Sequence, residues 1–200
     1  MEEQRGKEEM EKYRRRYMAP TSRKDIKHML DGKVTVIEYT DLERYGTIEE
    51  LLAPYMNVVI LYPNPPPDNE VGHWCCLFTN TGTDRLEFFD SYGCYIDDKI
   101  GEYDEGVDRM HAPHKIEPKL LELIINSKYA NNMHYNDVEY QSNHIATSTC
   151  GLWCVLRLKN KHHNEEWFEE TYQKIPVASG ILPDLLVAKM ICEMYPEMSV

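Results

Sequence analysis

Cysteine and histidine together can make a nucleophile at neutral pH, and this chain places one cysteine where that chemistry is favoured. A free thiol is only a few per cent ionised near pH 7, so the thiolate needs a cationic or dipolar neighbour. Cys150 follows Ser148 and Thr149, residue types that open helices, and precedes Leu152, Val155 and Leu156 at helical spacing. It is predicted to start a helix, where unpaired N–H groups carry partial positive charge. A nearby imidazolium would complete the activation. Eight histidines compete for that role: His28, His73, His111, His114, His134, His144, His162 and His163. Strand placement separates them. His73 opens an apolar run from Gly72 to Thr79, and a second run, Arg85 to Asp90, follows the turn-rich residues 80–84. If the two runs form a hairpin, the start of one lies beside the end of the other, so His73 and Asp90 meet at one sheet edge. A carboxylate there can fix the ring tautomer and stabilise the imidazolium.

The elements that must position these residues are legible on both sides of the hairpin. Val34 to Tyr39 reads as a strand, Thr47 to Glu50 as a capping box opening a short helix that Pro54 closes, and Asn57 to Tyr62 as a buried strand. Pro63 to Asn69 reads as an extended loop, because adjacent prolines fix φ and lack N–H donors. Pro118 opens a helix whose apolar face is Leu120, Leu121, Ile124 and Ile125, and Tyr135 to Tyr140 is expected to be a short strand. Two further helices are expected over Asn164 to Lys174 and Pro183 to Tyr195. The fold class is α+β: a central, mostly antiparallel sheet flanked by helices.

At the chemistry-bearing residues the sequence resembles a known group. Gly72, His73 and Trp74, then Phe88 to Gly93, then Gln141, then Thr149, Cys150 and Gly151 follow the His, Asp, Gln, Cys order of the clan of papain-like cysteine peptidases that holds the adenovirus maturation protease and the ubiquitin-like-protein-specific proteases. The forms around Asp90 and Cys150 are most similar to maturation proteases of virophages and other double-stranded DNA viruses. The resemblance spans about Val34 to Leu158 and implies a papain-like fold of the adenovirus-protease type, with the nucleophile at a helix N-terminus. It implies Cys150 as nucleophile, His73 as base, Asp90 as its orienting partner and Gln141 as oxyanion-hole donor beside the Cys150 N–H. It also implies Trp74 as a wall of a narrow substrate channel, with Gly151 among the substrate-binding residues. Eight residues separate Gln141 from Cys150 where the family has five or six, so a longer loop is expected there, with Asn143 as the competing donor. The implied reaction is cleavage of viral capsid or core precursors after small residues, Gly above all. The alternatives are an isopeptidase removing ubiquitin-like modifiers, an acyltransferase and an inactive binding module. The implied setting is the virion or the cytoplasm and virus factory of a host cell, and no cofactor is expected.

Composition bounds the rest. Two hundred residues suit one domain, burying roughly 70% of the surface its unfolded chain exposes. Six unevenly spaced cysteines and the lack of an apolar stretch after Met1 fit reduced intracellular thiols better than a secreted disulfide framework. Cys75 and Cys76 alternate along a strand and read as packing residues; Tyr92, Tyr95 and Tyr103 are candidate groove-lining residues. The pairs His111/His114 and His162/His163 lack a second ligand pair at zinc spacing, so no metal is expected. The net charge of −12 disfavours a general nucleic-acid binder. Residues 1–30 nevertheless carry nine Lys/Arg against six Asp/Glu, and the remainder is −15. They read as a charged helical extension before a peptidase domain of residues 31–200, with weak contact to DNA possible through Arg14, Arg15 and Arg16. No motif before Gly72 bears chemistry, so the extension is expected to regulate or localise the protein and not to build its site.

Overall fold

In the computed structural model of the chain, which describes residues 2–63, 72–98, 100, 118–144 and 146–198, five strands form one sheet. They are β1 (Thr35–Glu38), β2 (Asn57–Tyr62), β3 (His73–Asn80), β4 (Arg85–Asp90) and β5 (Met133–Tyr135), side by side in that order. The β2–β3 and β3–β4 pairs are antiparallel, whereas β1–β2 and β4–β5 are parallel, so the sheet is mixed and not mostly antiparallel. The parallel pairs arise because residues other than a tight turn intervene. Between β1 and β2 lie a 3-10 turn (Tyr39–Arg44) and helix α3 (Ile48–Leu52), which Thr47 caps by accepting from the Glu50 N–H.

Every residue of β3 is buried, as expected of a central strand covered on both faces. Its even-numbered side chains, Trp74, Cys76 and Phe78, join a core with Ile26, Met29, Leu152, Val155 and Ile191. Its odd-numbered ones, Cys75 and Leu77, join a second core with Leu42, Leu51, Ile60 and Leu120. The first face is covered by α2 (Arg23–Met29), α5 (Cys150–Lys159) and α8 (Pro183–Met194); the second by the 3-10 turn, α3 and α4 (Leu120–Ile125). Helix α1 (Glu2–Met18) packs along α8. A buried ion pair joins Arg157 of α5 to Glu87 of β4, and the guanidinium lies 4.8 Å from the Phe78 ring centroid.

Two expected elements change shape. Residues 136–140 do not continue β5, because the Asn136 side chain takes over the pairing: its Oδ1 accepts from the Asp90 N–H at 2.9 Å and its Nδ2 donates to the Asp90 carbonyl at 2.7 Å. The helix expected over Asn164 to Lys174 is α6 (Glu165–Glu169), which passes through a π turn (Glu170–Lys174) into α7 (Ile175–Ala178). The proline loop 64–69, His111, His114 and Tyr103 lie outside the described residues.

The largest correction concerns residues 1–30. Ser22 caps α2 in a full capping box with Asp25, and Ile26 and Met29 are fully buried in the first core. Arg16 is 2% exposed and donates to Thr21 Oγ1 at 3.4 Å, so it is not offered to a polyanion as expected. Burial lowers its pKa, the charge of Asp25 opposing. Arg14 and Arg15 remain exposed, Arg15 facing Glu11 at 3.6 Å. The boundary drawn at residue 30 from charge alone is therefore not a boundary in the packing.

Candidate active site

The hairpin register explains how His73 and Asp90 meet. Asp90 stands opposite Cys75, and His73 lies two residues along β3 on the same face, so the histidine reaches the carboxylate diagonally. His73 Nε2 lies 2.7 Å from Asp90 Oδ1, and both side chains are buried. The same oxygen accepts from the Tyr92 N–H at 2.7 Å, and the Cys75 thiol donates to Oδ2 at 3.5 Å. Cys75 thus does more than pack: it occupies the second carboxylate oxygen. Burial raises the pKa of this thiol well above its usual value, and the Asp90 charge adds to that, so it stays protonated and able to donate.

With Nε2 on Asp90, the other ring nitrogen is not bonded to the carboxylate, and Cys150 is among the groups that act on the charge of the ring. The pKa of His73 is raised to about 10: burial, the largest influence, pulls it down, and is outweighed by the Asp90 charge, the Asp90 bond and the Cys150 contact. The charged form of the ring is thus the favoured one. Cys150 is the first residue of α5 and is partly exposed, and Thr149 makes no side-chain cap to that helix. The Thr149 hydroxyl instead donates to Asp184 Oδ1. The first N–H groups of α5 thus carry no side-chain cap beside the sulfur, as a site that stabilises negative charge requires.

Gln141 is 2% exposed. Its Oε1 accepts from Ser91 Oγ at 2.9 Å, and its Nε2 donates to the Tyr92 hydroxyl at 3.0 Å and more weakly to the Thr147 carbonyl at 3.4 Å. Main-chain N–H groups of Tyr140 and Gln141 both reach the Ser91 carbonyl, so the amide hangs from the turn that follows Asp90. Asn143, the competing donor, is exposed and bonded to Glu139 at 2.8 Å. Gln141 is thus buried against Ser91 and Tyr92, while Asn143 faces solvent.

Several residues at the site carried little or no signal in the sequence. Tyr92 stacks on His73, with ring centroids 4.7 Å apart and planes 24° off parallel. Gly93, at φ +71°, closes the turn against the Asp137 main chain and directs Tyr92 back over the histidine. Asp184, buried in the first turn of α8, accepts from Thr149, from Trp153 Nε1 at 2.9 Å and from the Ser142 N–H at 2.8 Å, so one carboxylate joins the segment after Gln141 to the turn before Cys150. Its pKa is raised by burial, with these three donors opposing. Tyr17 supports the same turn: its carbonyl accepts from the Ser148 N–H at 3.0 Å, and its hydroxyl meets Thr147 Oγ1 at 2.6 Å.

Trp74 is 6% exposed, and its indole donates to the Thr21 carbonyl at 2.8 Å. With Thr21, Arg23, Glu38 and Leu61 it lines a cleft of about 370 Å³. Gly151 makes room for a neighbouring side chain. A Cβ there would sit 2.6 Å from Thr21 Cβ, so the space opened by the missing side chain is filled by Thr21 and not left to a substrate. Among the described residues, the metal-type donors of His73, Cys75 and Asp90 lie within 4.8 Å of one another, but they are bonded to each other in the arrangement above. His163 stacks on Trp167, and the His162 ring lies against His163 with planes tilted by 44°.

No protein-family model matches the chain. Over 167 residues it is 34% identical to "Uncharacterized protein V9" of the Sputnik virophage, covering 82% of this chain and 89% of that protein.

Proposed function

Because the chain belongs to the family of the Sputnik virophage protein V9, we propose that it is a viral cysteine peptidase of the adenovirus-protease type, cutting capsid or core precursors after small residues. One observation carries this reading: a buried histidine is held by Asp90 at 2.7 Å with its charged form favoured, and Cys150, the first residue of a helix, is among the groups that act on it. That pairing is what a thiol needs to become a nucleophile.

Cys150 sulfur attacks the scissile carbonyl and forms a C–S bond, and the electron pair of the C=O moves to oxygen. The Gln141 amide and the Cys150 N–H are the donors for that oxyanion, charge that exists only in the transition state and the intermediate. As the C–N bond breaks, His73 gives its proton to the leaving amine. Water then attacks the thioester, His73 takes its proton, the C–S bond breaks and the thiolate–imidazolium pair is restored. The cleft lined by Gly72 and Trp74, the residues on either side of His73, together with Thr21 and Arg23, is the candidate place for the substrate chain.

The test is to incubate the purified protein with candidate capsid precursors and with ubiquitin-like conjugates, and to read new termini by mass spectrometry. New termini after Gly in the precursors, absent with Cys150→Ala, are expected. Cleavage of the conjugates alone would move the assignment to the isopeptidase reading, and no new terminus in either set would remove it.

A further inference from the structure

Tyr92 is the only described residue that touches all three of the catalytic helpers: its N–H bonds Asp90, its ring lies on His73 and its hydroxyl accepts from Gln141. We propose that Tyr92 is a positioning residue that couples the two halves of the site, its ring face favouring the imidazolium and its hydroxyl aiming the oxyanion amide. The proposal rests on the peptidase reading above, and assigns a function to a residue that this reading does not use.

The two contacts have separate physical consequences. An aromatic face within about 6 Å of a cation attracts it, most strongly where water is excluded. At 4.7 Å and nearly parallel, the Tyr92 ring favours the charged form of His73 and stops the imidazole from tilting off Asp90. The titratable groups around the ring are Asp90 on β4, Cys150 on α5, Cys75 on its own strand and Tyr62 opposite it on β2. Among these only Asp90 favours the imidazolium by charge at neutral pH without itself reacting; Tyr92 adds a contribution that needs no charge. The hydroxyl acts on a different atom. A primary amide has two N–H donors and can rotate, so an oxyanion donor needs something to fix its plane. Ser91 holds Oε1 and Tyr92 takes one Nε2 hydrogen at 3.0 Å, which keeps the amide from turning, while the second faces the Thr147 carbonyl at the weaker 3.4 Å and is the one an oxyanion would take over. Misplacement of a reacting group by about 1 Å can cost on the order of 10² in rate, so an anchor on that nitrogen matters to turnover more than to substrate affinity.

Two substitutions in the full chain separate the contacts. Tyr92→Phe deletes the hydroxyl and keeps the ring; Tyr92→Leu keeps apolar bulk over His73 and deletes the π face with the hydroxyl, so its difference from Tyr92→Phe isolates the ring. Histidine-ring NMR titration needs no substrate. The His73 midpoint is expected to fall by roughly half a pH unit in Y92L and to stay in place in Y92F, while the Gln141 side-chain amide resonances move in Y92F. In hydrolysis, Y92F is expected to lower kcat by about tenfold with KM nearly unchanged, and Y92F with Gln141→Ala to be no slower than Gln141→Ala alone. An unmoved His73 midpoint in a folded Y92L, or losses from Y92F and Q141A that multiply, would overturn the proposal. Should Y92L not fold, the Y92F/Q141A cycle decides it. Should the wild-type protein cut no peptide, the peptidase reading fails, and the two NMR observations still decide whether Tyr92 sets the state of His73 and Gln141.

Discussion

The Trp74 indole donates to the Thr21 carbonyl at 2.8 Å, so a residue beside the candidate base is fastened to a segment more than fifty positions upstream. The same Thr21 packs into the gap left by Gly151, the residue after the candidate nucleophile. The amino-terminal segment is thereby part of the site, in contrast to the expectation drawn from charge and motif content.

A chain starting at Asp31 is therefore predicted to lose its fold and its activity together. It lacks Ile26 and Met29, each worth about 1.5–3 kcal/mol when fully buried, against a typical total stability of about 5–15 kcal/mol. Tyr17→Phe isolates the local effect by removing only the bond to Thr147, at about 1 kcal/mol. Urea unfolding should show that small loss, and kcat should fall. A truncated chain that unfolds cooperatively and cuts peptide at the full-length rate would contradict this.

Much of the site was legible because its residues sit where local rules are strong. The hairpin is specified by two apolar runs joined by a turn-rich segment, and it brings His73 to Asp90 with an offset of two that the sequence pattern did not specify. Cys150 could be placed at a helix start from Ser148, Thr149 and the apolar spacing that follows. The hidden parts depend on contacts that leave no local mark. Asp184 looks like any acidic residue in a first helical turn, where the dipole favours it, and only packing shows that it holds Ser142 and Thr149. Net charge averaged Ile26, Met29 and the buried Arg16 into a basic extension. The strand expected over Tyr135 to Tyr140 failed because an asparagine side chain replaced the backbone ladder.

Cys150 should be the thiol that iodoacetamide modifies fastest. Cys75, Cys76, Cys154 and Cys192 are buried, and burial raises the pKa values of Cys75, Cys154 and Cys192. Cys94 is as accessible as Cys150 and serves as the internal comparison, since its reaction reports exposure without the His73 contact. Peptide mapping after brief labelling should find Cys150 well ahead of Cys94. Equal labelling of the two would argue against an activated thiol.

Gln141→Ala should lower turnover by on the order of 10² to 10³, the usual cost of one oxyanion donor. Asn143→Ala should leave it nearly unchanged, because Asn143 is exposed and engaged with Glu139. The opposite ranking in steady-state kinetics would place the donor on the loop and not on Gln141.

Asp90→Asn should move the alkaline limb of kcat/KM downward. With His73 raised to about 10, the imidazolium that protonates the leaving amine persists through neutral pH, and activity should decline only as pH passes that value. The same group contributes stability that is fully present below its unfolded pKa near 6.5 and is lost as pH rises through about 10. Replacing the charge of Asp90 with an amide removes the main raising influence, so both the kinetic limb and the decline in stability should shift toward neutral pH. Rate profiles and urea midpoints measured from pH 6 to 10.5 would check both; a limb that stays in place would show that Asp90 does not set the charge of the ring.

Arg14, Arg15 and Arg16 should separate by position. Arg16 is buried against Thr21, so Arg16→Ala is expected to cost roughly 1–3 kcal/mol, with little direct effect on any polyanion. Arg14 and Arg15 are exposed, and replacing both by Ala should change stability by no more than about 0.5 kcal/mol. If DNA binds this helix, it binds through those two, and the double change should weaken binding for all sequences alike and reduce the salt slope by about two. The net charge of −12 opposes such binding, so the full-length affinity should be weak and vanish as salt is raised. Titration of labelled duplex at several salt concentrations, alongside urea unfolding of each variant, distinguishes the two effects. Loss of DNA binding in folded Arg16→Ala with none in Arg14→Ala/Arg15→Ala would place the contact on the face of α1 that this structure buries.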